Sequence, residues 1–159
     1  MNESGTRQIA ERWFGALTSG QIETALSCLD QNIEWVNYRI EPEYNDLMPW
    51  IGTYKGIDAV LDTFKIFGSL VQVRKEELMK LVVEGEEAAG VIHEVSLVKD
   101  TGLEFEIEFI QWLTIRDGKI IRWKSYTDPS PIVRALKPLA AKAIAGVARA
   151  RAGVNDTQR

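Results

Sequence analysis

The residues with the most chemical promise in this sequence sit in two runs of alternating character. Glu94 shares every second position with Ile92, Ser96 and Val98, and Gln111 continues the series Phe105, Ile107 and Phe109. Alternate side chains of a strand share a face, so each polar group would stand on an otherwise apolar surface. A carboxylate in such a place has its pKa raised by desolvation, which poises it as a general acid or base near neutral pH. The amide of Gln111 can donate a hydrogen bond to a bound carbonyl or enolate oxygen, in the manner of an oxyanion donor. Tyr38 ends an earlier alternating stretch, just after Asn37, and offers a phenolic donor. The expected roles are therefore acid/base for Glu94 and oxyanion stabilisation for Gln111 and Tyr38.

Each of these residues also has a plainer reading. A one-residue slip in register flips every side chain to the other face, and Glu94 would then be a solvated strand residue. Gln111 would equally serve as a buried amide satisfied by its neighbours, and Tyr38 as a packing residue. His93, the only histidine, falls on the outer face by parity, where a structural or interface role is expected. No His, Asp or Glu cluster has metal-ligand spacing, a Ser-His-Asp arrangement is not in view, and neither phosphate-loop nor dinucleotide fingerprints occur. No metal and no cofactor are expected.

These groups need elements to hold them. Ile9, Trp13, Phe14, Ala16 and Leu17 recur at helical spacing before Gly20, and Ile22, Ala25, Leu26 and Leu29 repeat the pattern. Asn32 to Tyr38 reads as a strand with Ile33, Trp35 and Asn37 on one face. Arg39 to Gly52 has no period and carries Pro42 and Pro49, so it reads as a loop. Gly56 to Phe67 is helical through Val60, Phe64 and Phe67. Strands follow over Leu70–Val83, Ala88–Val98, Leu103–Ile115 and Ile120–Tyr126, the last pair joined by Asp117-Gly118, a strong hairpin signal. With Asp100 and Thr101 at a hairpin tip, Glu94 sits opposite Ile107 on the inner face, which also carries Leu103, Phe105, Phe109, Gln111 and Leu113. Beyond Pro129 and Pro131, Ile132, Leu136, Leu139, Ala140 and Val147 predict a last helix that either packs over the sheet or caps the cavity. Helices followed by an antiparallel meander make an α+β layout.

The bulk properties narrow the function classes. The chain has 159 residues, 45% hydrophobic and 26% charged, which fits one packed domain. A net charge of −4 argues against a general nucleic-acid binder. Cys28 is the only cysteine, which rules out an intrachain disulfide. No apolar run approaches the roughly 20 residues of a membrane span, and the polar opening lacks the look of a signal peptide. A soluble cytoplasmic protein is the expectation.

Three segments carry a family resemblance: Trp13-Phe14-Gly15-Ala16-Leu17-Thr18-Ser19-Gly20, Trp50-Ile51-Gly52-Thr53-Tyr54-Lys55-Gly56, and Trp112 through Trp123 leading to Tyr126-Thr127-Asp128. With the order of elements, they resemble the nuclear-transport-factor-like superfamily, and within it the SnoaL-like and ketosteroid isomerase-like domains. The resemblance implies a cone-shaped curved antiparallel sheet packed on three N-terminal helices around a pocket. It covers roughly Thr6 to Asp128, within a domain of residues 1–128, leaving 129–159 as a helical extension with a polar end. It implies a cofactor-independent isomerase or cyclase moving a proton on a carbonyl compound. The alternative is a non-catalytic small-molecule-binding or accessory protein. Matched position by position, the isomerase's general base falls at Asn37 and its protonated acid at Gln111, and the Arg and two acids of limonene epoxide hydrolase fall at Glu94, Ser96 and Ser125. Trp13, Asn37, Trp50, Phe64, Ile107, Phe109, Trp123 and Ser125 are expected to line a site for a hydrophobic ligand, with Trp35 as a further aromatic candidate. The outer face, with Val91, Val95, Leu97, Ile110 and Trp112, rimmed by Glu104, Glu106 and Glu108 with Arg122 and Lys124 able to pair with them, predicts a homodimer through the convex sheet.

Overall fold

A computed structural model describes residues 3–139, 145, 146 and 149. Helix α1 (Glu3–Thr18) and the short α2 (Ile22–Leu26) precede strand β1 (Leu29–Asn37) and strand β2 (Gly52–Lys55). Helix α3 (Ile57–Leu70) then leads into four long strands, β3 (Val71–Glu84), β4 (Glu87–Val98), β5 (Glu104–Arg116) and β6 (Lys119–Tyr126). Residues 130–139 form a further helix. Ala140 and Val147, expected in the same helix, lie outside the described residues.

Local chemistry explains the boundaries. Gly20 at φ +71 ends α1. Gln21 N–H bonds to Ala16 O and Gly20 N–H to Leu17 O, the paired bonds of a Schellman stop. Asp117 and Gly118 both have positive φ, as a tight hairpin turn between right-twisted strands demands.

The six strands form one sheet in the order β2-β1-β6-β5-β4-β3. It is antiparallel except where β6 lies parallel to β1, with Trp35 beside Trp123. That pairing departs from a wholly antiparallel sheet because α3 and the meander carry the chain back to β1 in its own direction. Strand β2 begins at Gly52, the last residue of the segment read as a loop, and ends before the helix read from Gly56, so Thr53 to Lys55 lie between the two. It is four residues long, bracketed by Gly52 and Gly56 at φ +123 and +89, too short to show a period. Leu103, expected on the inner face, lies outside β5 at the hairpin end and is exposed.

Helix α1 lies across the inner face at one end of the sheet. Thr6 donates to Gly85 O in the β3–β4 turn at 2.7 Å, and Trp13 and Phe14 are wholly buried. Phe14 rests on Gly90 of β4, where an added methyl would stand 2.3 Å from the ring; a glycine inside a strand marks such a close approach. The 130–139 helix joins the same core through Ile132, Ala135 and Leu136, and Thr101 of the β4–β5 turn donates to Ala135 O. No helix among the described residues is long and apolar enough to cross a membrane.

The Gly90–Phe14 contact is testable by urea unfolding. Gly90→Ala should cost about 1–3 kcal/mol by overpacking, and adding Phe14→Leu should recover part of that loss. Additive losses in the double variant would show that the two positions do not press on one another.

Candidate functional site

Where α1 no longer covers the sheet, the inner face bounds a cavity of about 570 Å³. Its floor is β1, β4, β5 and β6, its side is α3 and the start of β3, and Ile132 of the last helix completes the wall. Three aromatic contacts stiffen that wall: Trp35 stacks on Trp123 with ring centroids 3.7 Å apart, Phe64 meets Trp35 edge-on, and Phe67 meets Trp50 edge-on.

Glu94 pairs with Ile107 across β4 and β5, as parity predicts, and faces this cavity with 6% of its surface exposed. Ser96, two residues along the same face, donates its hydroxyl to Glu94 Oε1. Burial raises the Glu94 carboxyl above its ordinary range, and the Ser96 hydrogen bond partly opposes the rise. No basic group pairs with it among the described residues.

Gln111 marks the seam between core and cavity. Its Oε1 accepts the indole N–H of Trp13 at 2.8 Å and of Trp123 at 3.0 Å. Only the oxygen end of an amide accepts hydrogen bonds, so the NH₂ end is turned away from both indoles, unbonded to any described group, into the cavity that Gln111 lines. Trp13, expected to touch ligand, does not line the cavity. It is fully buried behind Gln111 and orients it.

Tyr38 lies at φ +39, a strained conformation for a tyrosine, just past the end of β1. Ser125 stands 3.5 Å from its phenolic oxygen. Burial, with a smaller contribution from the Glu94 charge, pushes the phenol up to about 12, against the Ser125 hydrogen bond; it stays a neutral donor. Asn37, Trp50, Phe64, Ile107, Phe109, Trp123 and Ser125 all line the cavity as expected. Two buried polar atoms have no partner among the described residues, Trp35 Nε1 and Asn37 Oδ1, and both residues line the cavity.

Three titratable lining residues escaped the sequence reading, Arg74, Lys75 and Glu76, all of β3. Glu76 of β3 is the direct cross-strand partner of Glu94 and lines the same cavity. Uninterrupted alternation from Val71 would turn Glu76 outward. A bulge between Val73 and Lys75 adds one residue and reverses the parity. Burial, and then the Glu94 charge, push its carboxyl up to about 8.

On the outer face His93 sits 2.7 Å from Glu106. Arg122, expected to pair with the β5 glutamates, bonds Glu34 of β1 at 3.0 Å, because β1 is the other neighbour of β6. Lys124 lies over the Tyr126 ring.

The two cavity carboxyls set a pH dependence of stability. Both have folded pKa values above the ordinary 4.5, so the folded state holds protons that the unfolded chain releases. Their stabilisation is complete below pH 4.5 and is lost as pH rises toward 8. The Tm of wild type should fall over that window more steeply than the Tm of Glu76→Gln. Parallel curves from scanning calorimetry would refute this.

The comparisons with known proteins agree with this geometry. The family model for the SnoaL-like domain matches residues 10–123, whereas no curated protein matches the sequence. An NTF2-like protein from Burkholderia xenovorans LB400 is 24% identical with a TM-score of 0.70, over 86% of this chain and 98% of that one. An NTF2-like protein from Burkholderia thailandensis E264 is 21% identical with a TM-score of 0.73, over 82% and 96%. TerC, co-crystallised with polyporic acid, is 16% identical with a TM-score of 0.69, over 84% and 98%. At these identities the structural likeness is one of fold, and the family follows from the sequence match: this chain belongs to the SnoaL-like domain family and has the NTF2-like fold.

Proposed function

We propose that the cavity takes a small hydrophobic carbonyl compound and moves a proton on it, in isomerisation or aldol-type cyclisation, without a cofactor. The observation that carries this reading is the buried Glu94 carboxyl, free of any basic partner among the described residues, in the cavity that receives the Gln111 NH₂. As carboxylate, Glu94 accepts a proton from the carbon beside the carbonyl; the C–H bond breaks and the electron pair moves onto oxygen. Gln111 and Tyr38 donate hydrogen bonds to that oxygen, where charge develops. A proton is then delivered to a different carbon in isomerisation, or to the new alkoxide after carbon–carbon bond formation. The aromatic wall excludes water, which keeps the carboxyl poised and protects the enolate. TerC's co-crystallisation with polyporic acid supports reading such a cavity as a ligand site.

A non-catalytic binding role is the second reading. Asn37, with its unpartnered Oδ1, stands where the isomerase-like enzymes carry their base, and an amide does not take up a proton at neutral pH.

Hydrophobic ketones and quinones that raise the Tm should be incubated with protein in D₂O and followed by proton NMR. Wild type should exchange the hydrogen beside the carbonyl, and Glu94→Gln should be slower by about 10²–10⁴-fold while still binding. Ligands that bind both proteins and exchange with neither would leave only the binding role.

We also propose a homodimer through the convex sheet face, supported by the exposed Ile110 and Trp112 of β5. Light scattering should give twice the chain mass for wild type and a monomer for Ile110→Glu; a monomeric wild type would sink this proposal.

A further inference from the structure

We infer that Glu76 is a second catalytic carboxyl, forming with Glu94 one acid–base pair that holds a single proton at neutral pH, with Glu94 the base and Glu76 the acid. The inference rests on the proposed proton-transfer reading of the cavity and adds to it the residue that delivers the proton.

Three observations lead to the pair. The register sets Glu76 directly opposite Glu94 on the inner face, where side chains of facing residues are in reach and like charges repel. Both line one cavity that holds two donors without partners among the described residues: the Nε1 of Trp35, which has 3% of its surface exposed, and the Gln111 NH₂. Arg74 and Lys75 of β3 also line the cavity, but each is paired with another carboxylate, Lys75 with Glu77 at 2.8 Å and Arg74 with Glu104 at 3.6 Å, and neither with Glu76 or Glu94. Just past β1, the facing titratable group is the neutral phenol of Tyr38. The cavity residues of α1, α3, β5, β6 and the last helix include no ionisable side chain.

Two carboxyls facing each other without a cation in a partly dry site do not both ionise. The Ser96 hydroxyl decides which keeps the charge. It donates to Glu94, favouring the ionised form there, whereas Glu76 receives no such bond among the described residues and sits at about 8.

The pair completes the chemistry without an added co-reactant. Glu94 gains the proton from the substrate C–H bond, while the Glu76 O–H bond breaks as its proton passes to the receiving carbon or oxygen. One C–H bond is lost, one C–H or O–H bond is made, and the two carboxyls have exchanged states. Transfer of the proton from Glu94 to Glu76 restores the start. Both carboxyls stand on the β3–β4 wall, so the proton leaves and arrives on the same face of the substrate.

The test is a ligand-free titration of wild type, Glu76→Gln and Glu94→Gln, read by carboxyl-carbon NMR. In wild type both resonances should respond in two separate steps shared by the pair, the upper one near 8. In Glu76→Gln the Glu94 midpoint should fall by about 1 unit or more, and in Glu94→Gln the Glu76 midpoint should fall likewise, as expected on losing a close like charge. Either variant alone reads the coupling if the other does not fold, and the wild-type curve reads it if neither does. Independent single steps, or a midpoint indifferent to loss of the other carboxyl, would overturn the pair. Coupled steps without any hydrogen exchange on carbonyl ligands would uphold the shared proton and remove the proposed reaction. Exchange activity without coupled steps would do the reverse.

Discussion

One oxygen atom, Oε1 of Gln111, holds the junction on which the rest of the structure depends. It receives an indole N–H from α1 and another from β6, tying the covering helix to the sheet at the middle of its inner face. Each buried hydrogen bond contributes about 1 kcal/mol net, but a donor left unpaired there costs about 1–3 kcal/mol. The two tryptophans therefore demand an acceptor at this point, and the amide answers both with a single atom. Along β5 on one side of it, Leu113 and Ile115 are fully buried core. On the other side, Phe109 and Ile107 face open space. The same amide that closes the core thus presents its spare donors to the cavity.

That division has a cost which the cavity wall absorbs. Carboxyls in a poorly hydrated site favour the neutral form, so Glu76 and Glu94 weaken the fold as pH rises. A sequence selected for stability alone would carry apolar residues at both positions, as it does at Ile92 and Leu78, the next pair along the same face. Retaining them concentrates the electrostatic strain at one place, the cavity proposed as the site, where perturbed carboxyls are of use to chemistry. The surrounding stack of Trp35 on Trp123 is rigid, so the polar groups keep their positions without a ligand to organise them.

Much of this was legible from residue order, and the exceptions share a cause. Strands β4 and β5 alternate without interruption, so parity alone placed Glu94, Gln111, Ile107 and Phe109 correctly. Strand β3 holds two bulges, and no feature of its composition signals where an extra residue enters, which hid Glu76. Trp13 was read as a ligand contact because an aromatic on a helix face looks alike whether it meets a cavity or an amide in front of one. Arg122 was paired with the wrong neighbour because the parallel β1–β6 contact joins segments far apart in sequence. Likewise, the capping role of Ile132 depends on where the 130–139 helix lands: Thr101 bonds to it from the β4–β5 turn, and the hydroxyls of Ser130 and Tyr44 lie 2.7 Å apart. Local pattern identifies elements and faces; contacts between distant elements decide which faces become a site.

The electrostatics of the cavity also bear on the ligand. An anionic group placed beside Glu94 would meet a like charge with little water to screen it. A cationic group would hold both carboxyls ionised and remove the proton that Glu76 gives in the proposed reaction. A neutral molecule disturbs neither, and the donors of Gln111, Tyr38 and Trp35 offer its oxygen a polar anchor on the wall away from β3. The stacked and edge-on rings supply the remaining contact area. A neutral, largely apolar carbonyl compound is the ligand class that leaves the carboxyls in the states the proposed reaction needs and still satisfies the unpartnered donors.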